Sequence, residues 1–158
     1  MLVFQTPPLE QDTEVTGPLS VSLWVSSSAP DTDFTAKLVD VYPPSEDFPE
    51  GYALNISDSI VRMRYHRSRE RAELLEPGRV YEVTITLYPT SNLFAKGHRI
   101  RLDVSSSNFP RFDANPNTGE PLGQHRRVQV AENTVHHDKS QPSHIVLPIV
   151  PAGRGARR

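Results

Sequence analysis

No cysteine occurs among the 158 residues, which excludes structural disulfides and thiol catalysis. Long apolar runs are also missing, because the strand-like stretch at residues 145–150 is far too short to span a bilayer. The amino terminus lacks the charged and apolar regions of a signal peptide, so a cytoplasmic location is slightly favoured and the compartment stays open. Seventeen Lys and Arg residues against 19 Asp and Glu leave no basic excess. We therefore expect neither a nucleic-acid partner nor a membrane partner.

Proline, in contrast, is abundant, with 15 residues in the chain. This number argues against long helices, and only Ser68 to Leu75 indicates a short one. Turn signals such as Gly17-Pro18 and Pro77-Gly78 recur at short intervals. The length predicts a single domain, which we assign to residues 1–151. Residues 152–158 form a Gly/Arg tail that we predict to be mobile and outside the fold.

The dominant pattern is an alternation of apolar and polar residues with period two, which is typical of strands with one buried face. Leu19 to Val25 shows it most clearly, with leucines and valines alternating with serines and a tryptophan. Similar runs occur at residues 34–39, 80–87, 100–104, 128–130 and 145–149. Short strands separated by turns favour an antiparallel sandwich or barrel. We predict an all-β fold, specifically a jelly-roll (galactose-binding-domain-like) antiparallel β-sandwich of about eight strands.

Catalytic motifs are missing from the sequence. A Gly-x-Ser-x-Gly elbow holds a nucleophilic serine on a strained turn, and no serine here stands midway between two such glycines. The serines at 26–28 and 105–107 are interpreted as hydroxyls that satisfy loop backbone groups. His136 and His137 are adjacent, so on a strand they would face opposite sides and could not share a metal. We predict no catalytic residue, no metal site and no cofactor in this chain.

One acidic pair leaves an alternative open. Asp31 and Asp33 could form an Asx-turn that leads into the strand at Phe34, or they could help to hold a hard cation. Calcium takes about six to eight oxygen ligands, and no further carboxylate stands close in sequence, so the turn is favoured.

The segment Asn108 to Asp113 is the main interface candidate. Phe109 and Phe112 stand in a polar loop, where composition alone would not place aromatic rings. The proline between them lowers the entropy lost when the loop is ordered, and charged neighbours could fix the register of a contact. The rings either dock on a partner or fold back to plug the end of the sandwich. The candidate interface residues in this loop are Asn108, Phe109, Arg111, Phe112 and Asp113.

Trp24 is the remaining interface candidate. It shares a strand face with Ser20, Ser22 and Ser26 and could serve as a sugar-stacking platform. A lone Trp on a semi-polar face is more often covered by a loop or a neighbouring domain. A free-standing carbohydrate-binding jelly-roll module is therefore the alternative function, and it is weaker because such modules generally expose several aromatic rings.

Motifs along almost the whole chain are similar to those of one family. They follow in order at Leu2 to Leu9, Ser26 to Val41, Ile60 to Tyr65, Gly97 to Arg101, Ser106 to Pro110, Asn115 to Gly119 and Pro142 to Pro148. Together they resemble the C-terminal domain of the cocaine esterase and Xaa-Pro dipeptidyl-peptidase hydrolases, the CocE/NonD-type serine hydrolases. The resemblance covers roughly residues 2 to 151, although Ser59 stands where the family commonly has glycine.

The resemblance implies a function as well as a fold. It implies a non-catalytic C-terminal accessory domain of an α/β-hydrolase-type serine hydrolase, an acyl esterase or a dipeptidyl-peptidase. Such a domain would pack on the catalytic domain, shape the substrate cleft and could support homo-oligomer contacts. The family's nucleophilic Ser, Asp and His belong to the hydrolase domain, and no residue here matches them. We therefore expect the parent protein, and not this chain alone, to be the enzyme.

Overall fold

The computed structural model describes residues 1–151, and the predicted tail at residues 152–158 lies outside the described residues. The one helical element in the described part is a 3-10 turn at Met63–Tyr65. No helix within residues 1–151 is long and apolar enough to cross a membrane. The remaining regular structure confirms the predicted all-β class and consists of β1 (Leu2–Gln5), β2 (Thr13–Ser27), β3 (Asp33–Tyr42), β4 (Tyr52–Arg62), β5 (Tyr81–Phe94), β6 (Arg99–Ser105), β7 (Asn133–His136) and β8 (His144–Val146).

These strands form two antiparallel sheets that face each other as a sandwich. The first sheet has the order β1-β6-β3-β4. The second has the order β5-β2-β7, with β8 pairing β2 further along. The longest ladder joins β2 to β5 from the Thr13–Phe94 pair to the Val25–Tyr81 pair. Strands β1 and β4 are therefore the two opposite edges of the first sheet.

The core lies between the sheets and is built by the alternating residues. In β2, the apolar residues of the Leu19 to Val25 run are at most 1% exposed, whereas the serines and Trp24 between them face outward. Burying an aliphatic side chain of this kind favours folding by about 1.5 to 3 kcal/mol. The core also contains Val83, Ile85 and Leu87 of β5 in the same sheet, and Phe34, Ala36, Leu38, Ile100, Leu102 and Val104 of the facing sheet.

Two local predictions are wrong. Ser68 to Leu75 contains no helix but a series of bends, and Leu75 alone is buried there. A helix would need a whole apolar stripe to bury, which this segment lacks. Val128 and Val130 form no strand and are 77% and 89% exposed. Their segment is held instead by a hydrogen bond from the backbone N–H of Gln129 to the carbonyl of Pro116.

Candidate functional site

The candidate site is the loop of residues 106–132, which joins β6 to β7 without helix or strand. A loop of this length inside a compact fold is uncommon and is usually functional or disordered. Here the loop is ordered by buried charged groups at the start of β3 and the end of β4. The site therefore depends on how those groups hold the loop backbone.

Two carboxylates and two guanidinium groups form the anchor of the loop. Asp33 accepts two hydrogen bonds of 2.9 Å from Arg62, through Nε and Nη2. Asp31 accepts hydrogen bonds from Arg64, at 2.8 Å from Nε and 2.9 Å from the backbone N–H. Both carboxylates are at most 1% exposed, and Arg64 is 5% exposed. Buried charges of this kind persist only when they are paired and hydrogen-bonded, and here each carboxylate is.

Asn115 connects this anchor to the loop. Its side-chain N–H groups donate to Asp31 at 3.0 Å and to Asp33 at 2.8 Å. The guanidinium groups donate to loop carbonyls in addition: Arg62 to that of Asp113 at 3.1 Å, and Arg64 to that of Glu120 at 3.0 Å. The loop is thus fixed at three points, two of them backbone carbonyls and one the Asn115 side chain, by groups that are themselves largely buried.

The anchor also bears on the cation alternative for the acidic pair. Two arginines already neutralise the charge that a cation would neutralise, and no group of three potential metal-binding side chains occurs among residues 1–151. The hydrogen bonds that Arg62 donates to Asp33 raise the pKa of Arg62, although burial opposes the shift. The arginine therefore keeps its charge, and the Asp31–Asp33 pair acts as the anchor of the loop.

The predicted interface residues Asn108 to Asp113 come together at the loop tip, on the outer face of the first sheet beside β4. The Asn108 side chain donates to Oδ2 of the buried Asp58 at 3.0 Å. Arg111 Nη1 forms an ion pair with Oδ1 of the same carboxylate at 3.1 Å. This guanidinium also lies 5.8 Å from the centre of the Phe112 ring. The side chains of Asn108 and Arg111 therefore tie the tip to the sheet.

The two phenylalanines of the tip differ in burial. Phe109 is 72% exposed, and its peptide bond to the following proline is cis. Phe112 is half-buried and lines a shallow pocket of about 270 Å³ with Arg62, Tyr65 and Leu122. The sequence left two alternatives for the rings, docking on a partner or folding back on the sandwich. The Phe109 ring projects into solvent, whereas the Phe112 ring folds back against the sandwich.

Trp24 lies elsewhere, on the outer face of the second sheet. It is half-buried and stands between Glu82 of β5 and His136 of β7 in the strand register. Neighbouring polar side chains bond to each other, as Ser22 does to Glu82 at 3.2 Å. No other ring forms an aromatic pair with Trp24 among the described residues. A single ring of this kind gives no extended platform for a sugar chain.

One serine–histidine contact was not foreseen from the sequence. Ser26 Oγ lies 3.1 Å from His136 Nε2, although the two residues are 110 positions apart. Within residues 1–151, no carboxylate lies within salt-bridge distance of this histidine. A catalytic serine needs a base that a third group orients, together with an oxyanion hole. No third group orients the His136 ring among the described residues, and the contact is a hydrogen bond between the adjacent strands β2 and β7.

Sequence reasoning missed the arginines, Asn115 and Asp58. A partial signal was available, because Arg62 and Arg64 are two residues apart, as are Asp31 and Asp33. Two complementary charged pairs with the same spacing can match across neighbouring chain segments. Spacing alone could not show that these segments meet, or that Asn115 joins them from more than 80 positions away.

Comparisons with known proteins match nearly the whole chain to one family. A family model described as the X-Pro dipeptidyl-peptidase C-terminal non-catalytic domain matches residues 1–146. Cocaine esterase of Rhodococcus sp. (strain MB1 Bresler) is 49% identical over 152 residues, which are 95% of this chain and 25% of that protein.

Two solved structures share this fold at more than 30% sequence identity. An aminopeptidase from a marine sediment Thaumarchaeota archaeon has a TM-score of 0.89 at 33% identity, over 95% of this chain and 26% of that one. An alpha-amino acid ester hydrolase has a TM-score of 0.88 at 34% identity, over 94% of this chain and 25% of that one. The chain thus spans about a quarter of the length of the relatives it matches.

Proposed function

Because the chain belongs to the X-Pro dipeptidyl-peptidase C-terminal non-catalytic domain family, we propose that it packs on the α/β-hydrolase catalytic domain of a CocE/NonD-type serine hydrolase and helps to wall its substrate cleft. Family membership confirms the resemblance found in the motifs. The relatives are about four times as long, and we assign the serine hydrolase chemistry to the part of the polypeptide beyond this chain. Residues 1–151 would act as one accessory unit, and homo-oligomer contacts stay a prediction.

The observation that carries the docking proposal is the exposure of Phe109 on an anchored loop. An exposed ring on a mobile loop would lose much conformational entropy on binding, which weakens association. Here three polar anchor points hold the loop while the ring is 72% exposed. Burying a Phe side chain favours association by about 1.5 to 3 kcal/mol. A preordered aromatic residue of this kind is typical of the anchors at protein interfaces.

Phe109→Ser tests the proposal in the full-length hydrolase. We expect the full-length protein to melt a few degrees lower, because the ring loses its contact with the catalytic domain. The isolated 158-residue chain should melt within about 2 °C of the unchanged chain, as expected for a surface substitution. Val130→Ser is the matched control, since Val130 is 89% exposed and lies in the same loop, outside the tip.

Two outcomes would contradict docking through this loop. If the isolated chain melts about 10 °C lower, the loss is that of a core ring and Phe109 is not an interface residue. If the full-length protein responds to Phe109→Ser no more than to Val130→Ser, the tip faces solvent in the intact hydrolase. Phe112→Ser should lower the melting temperature of both proteins, because this ring already packs against the sandwich.

A further inference from the structure

The two sheets leave a cleft open on the side of β1, opposite the β4 edge where the Phe109 loop lies. Its volume is about 460 Å³. Phe4 forms one rim, and its ring meets the His137 ring edge-on with the centres 5.9 Å apart. The remaining walls include core side chains of both sheets, among them Leu23, Leu38 and Leu102. On this side, therefore, the core reaches the cleft without a covering strand.

The cleft has a defined chemical character. Its lining contains no Asp, Glu, Lys or Arg, and the polar members are uncharged side chains and two histidines. Apolar side chains that line an open groove favour an apolar occupant. Charged segments would lose hydration there without gaining a partner.

Strand β1 presents an unpaired edge beside the cleft. It pairs with β6 on one side and has no neighbour on the other among the described residues. The backbone N–H of Thr6 donates to Ile100, so residues 2, 4 and 6 direct their backbone groups to β6. Val3 and Gln5 consequently direct theirs to the open side. Unpaired backbone groups at an exposed edge are a template for a further strand.

The same edge is unusually apolar for one in contact with solvent. Leu2, Val3 and Phe4 are 44%, 50% and 38% exposed. Across the cleft, β8 is only three residues long, and its Val146 is 51% exposed. Natural sheets usually protect such edges with charges, prolines or a covering segment. Both rims of the cleft therefore have the features of a surface that is covered in the complete protein.

We propose that an extended apolar segment from the part of the hydrolase polypeptide outside this chain adds as a strand to the free edge of β1 and fills the cleft. The proposal rests on the proposed function, because it takes the chain as a quarter of a longer hydrolase. Strand addition satisfies the backbone groups of Val3 and Gln5, while alternate side chains enter the apolar groove. A second copy of the chain is the competing occupant, and the experiment distinguishes the two.

Val3→Pro tests the backbone part of the proposal. Proline removes the outward N–H of residue 3 without removing a hydrogen bond to β6, and it is tolerated on edge strands. Val3→Ala is the matched control, because it shortens the side chain and keeps the N–H. We expect Val3→Pro to melt lower than Val3→Ala in the full-length hydrolase and the two to melt alike in the 158-residue chain. Equal melting temperatures in the full-length protein would overturn the proposal.

A photo-crosslink identifies the occupant. Phe4 is replaced by p-benzoylphenylalanine in a mixture of isotopically light and heavy full-length hydrolase. The same replacement at Leu93 is the control, because Leu93 is 54% exposed and lies on β5, outside both the cleft and the Phe109 tip. We expect crosslinks from position 4, and not from position 93, to a segment outside residues 1–158 of the same copy. Crosslinks between light and heavy copies, or only to residues within 1–158, would overturn it. The Phe109→Ser result is independent, because that loop lies at the opposite edge of the sheet.

Discussion

The buried Asp31–Arg64 pair should respond strongly to the loss of one charge. In Asp31→Asn the side chain keeps its shape, yet both original oxygens accept from N–H donors: Oδ1 from the Arg64 backbone, and Oδ2 from the Arg64 guanidinium and from Asn115. Whichever way the new amide turns, its NH₂ group faces a donor. The substitution thus leaves a guanidinium that is 5% exposed without its counter-charge.

The expected cost follows from this burial. Breaking a buried ion pair by removing one partner costs about 3 to 5 kcal/mol. At roughly 2 to 4 °C per kcal/mol for a protein of this size, the melting temperature should fall by about 6 to 20 °C. Thermal unfolding followed by circular dichroism in the β region measures this fall directly, and urea unfolding gives the free energy independently.

Glu73→Gln is the matched control. Its pair with Arg67 is similar in length, 3.0 Å against 2.8 Å, but the side chains of Glu73 and Arg67 are 51% and 59% exposed. Surface pairs of this kind contribute about 0 to 1 kcal/mol. If Asp31→Asn melts within about 2 °C of the Glu73→Gln variant, the buried pair does not anchor the loop energetically, and the reasoning fails.

Three further predictions concern other parts of the chain. Gly51→Ala should lower the free energy of unfolding in urea more than Gly78→Ala. Both glycines have a φ near +80°, which costs a non-glycine residue about 1 to 2 kcal/mol, but only at Gly51 would the new Cβ meet a backbone oxygen, at 2.7 Å. Equal losses in the two variants would contradict this prediction. Hydrogen bonds from the Ser140 hydroxyl and two backbone N–H groups lower the pKa of Asp138. Their stabilising effect is present above the unfolded pKa and is lost as pH falls through the folded pKa; NMR titration should show a low midpoint that Ser140→Ala raises, and an unchanged midpoint would refute the assignment. Finally, the isolated chain should not hydrolyse p-nitrophenyl esters, and fluorophosphonate should not label Ser26. Stoichiometric labelling of Ser26 would contradict the interpretation of this serine as a hydrogen-bonding residue between strands.

The interface candidates show how far sequence reasoning could reach. The composition of Asn108 to Asp113 indicated an unusual loop, because two phenylalanines in a polar turn need an explanation. The sequence could not say that Phe109 projects while Phe112 packs against the sandwich. That difference depends on where the loop crosses the first sheet, and the crossing is set by contacts with β4.

The failed predictions have the same origin. Val128 and Val130 alternate with polar residues as a strand would, but no strand within residues 1–151 pairs with them. Ser68 to Leu75 has helix-compatible residues, but only Leu75 is buried against neighbouring elements, and one contact does not make a buried helical face. Local pattern states what a segment could form, and the neighbouring elements decide whether it forms.

The strand pattern, the lack of a serine elbow and, through the motifs, the family could all be read from the order of the residues. These features are local, because a period of two and a motif spacing are properties of adjacent residues. Two further features depend on the folded chain: Arg62 and Arg64 neutralise Asp33 and Asp31, and one side of the sandwich stays open. Both results depend on groups far apart in sequence that the sheet order brings together. Burial makes the charged contacts strong, and the open side leaves apolar side chains and unpaired backbone groups uncovered. Both effects exist only in the folded chain.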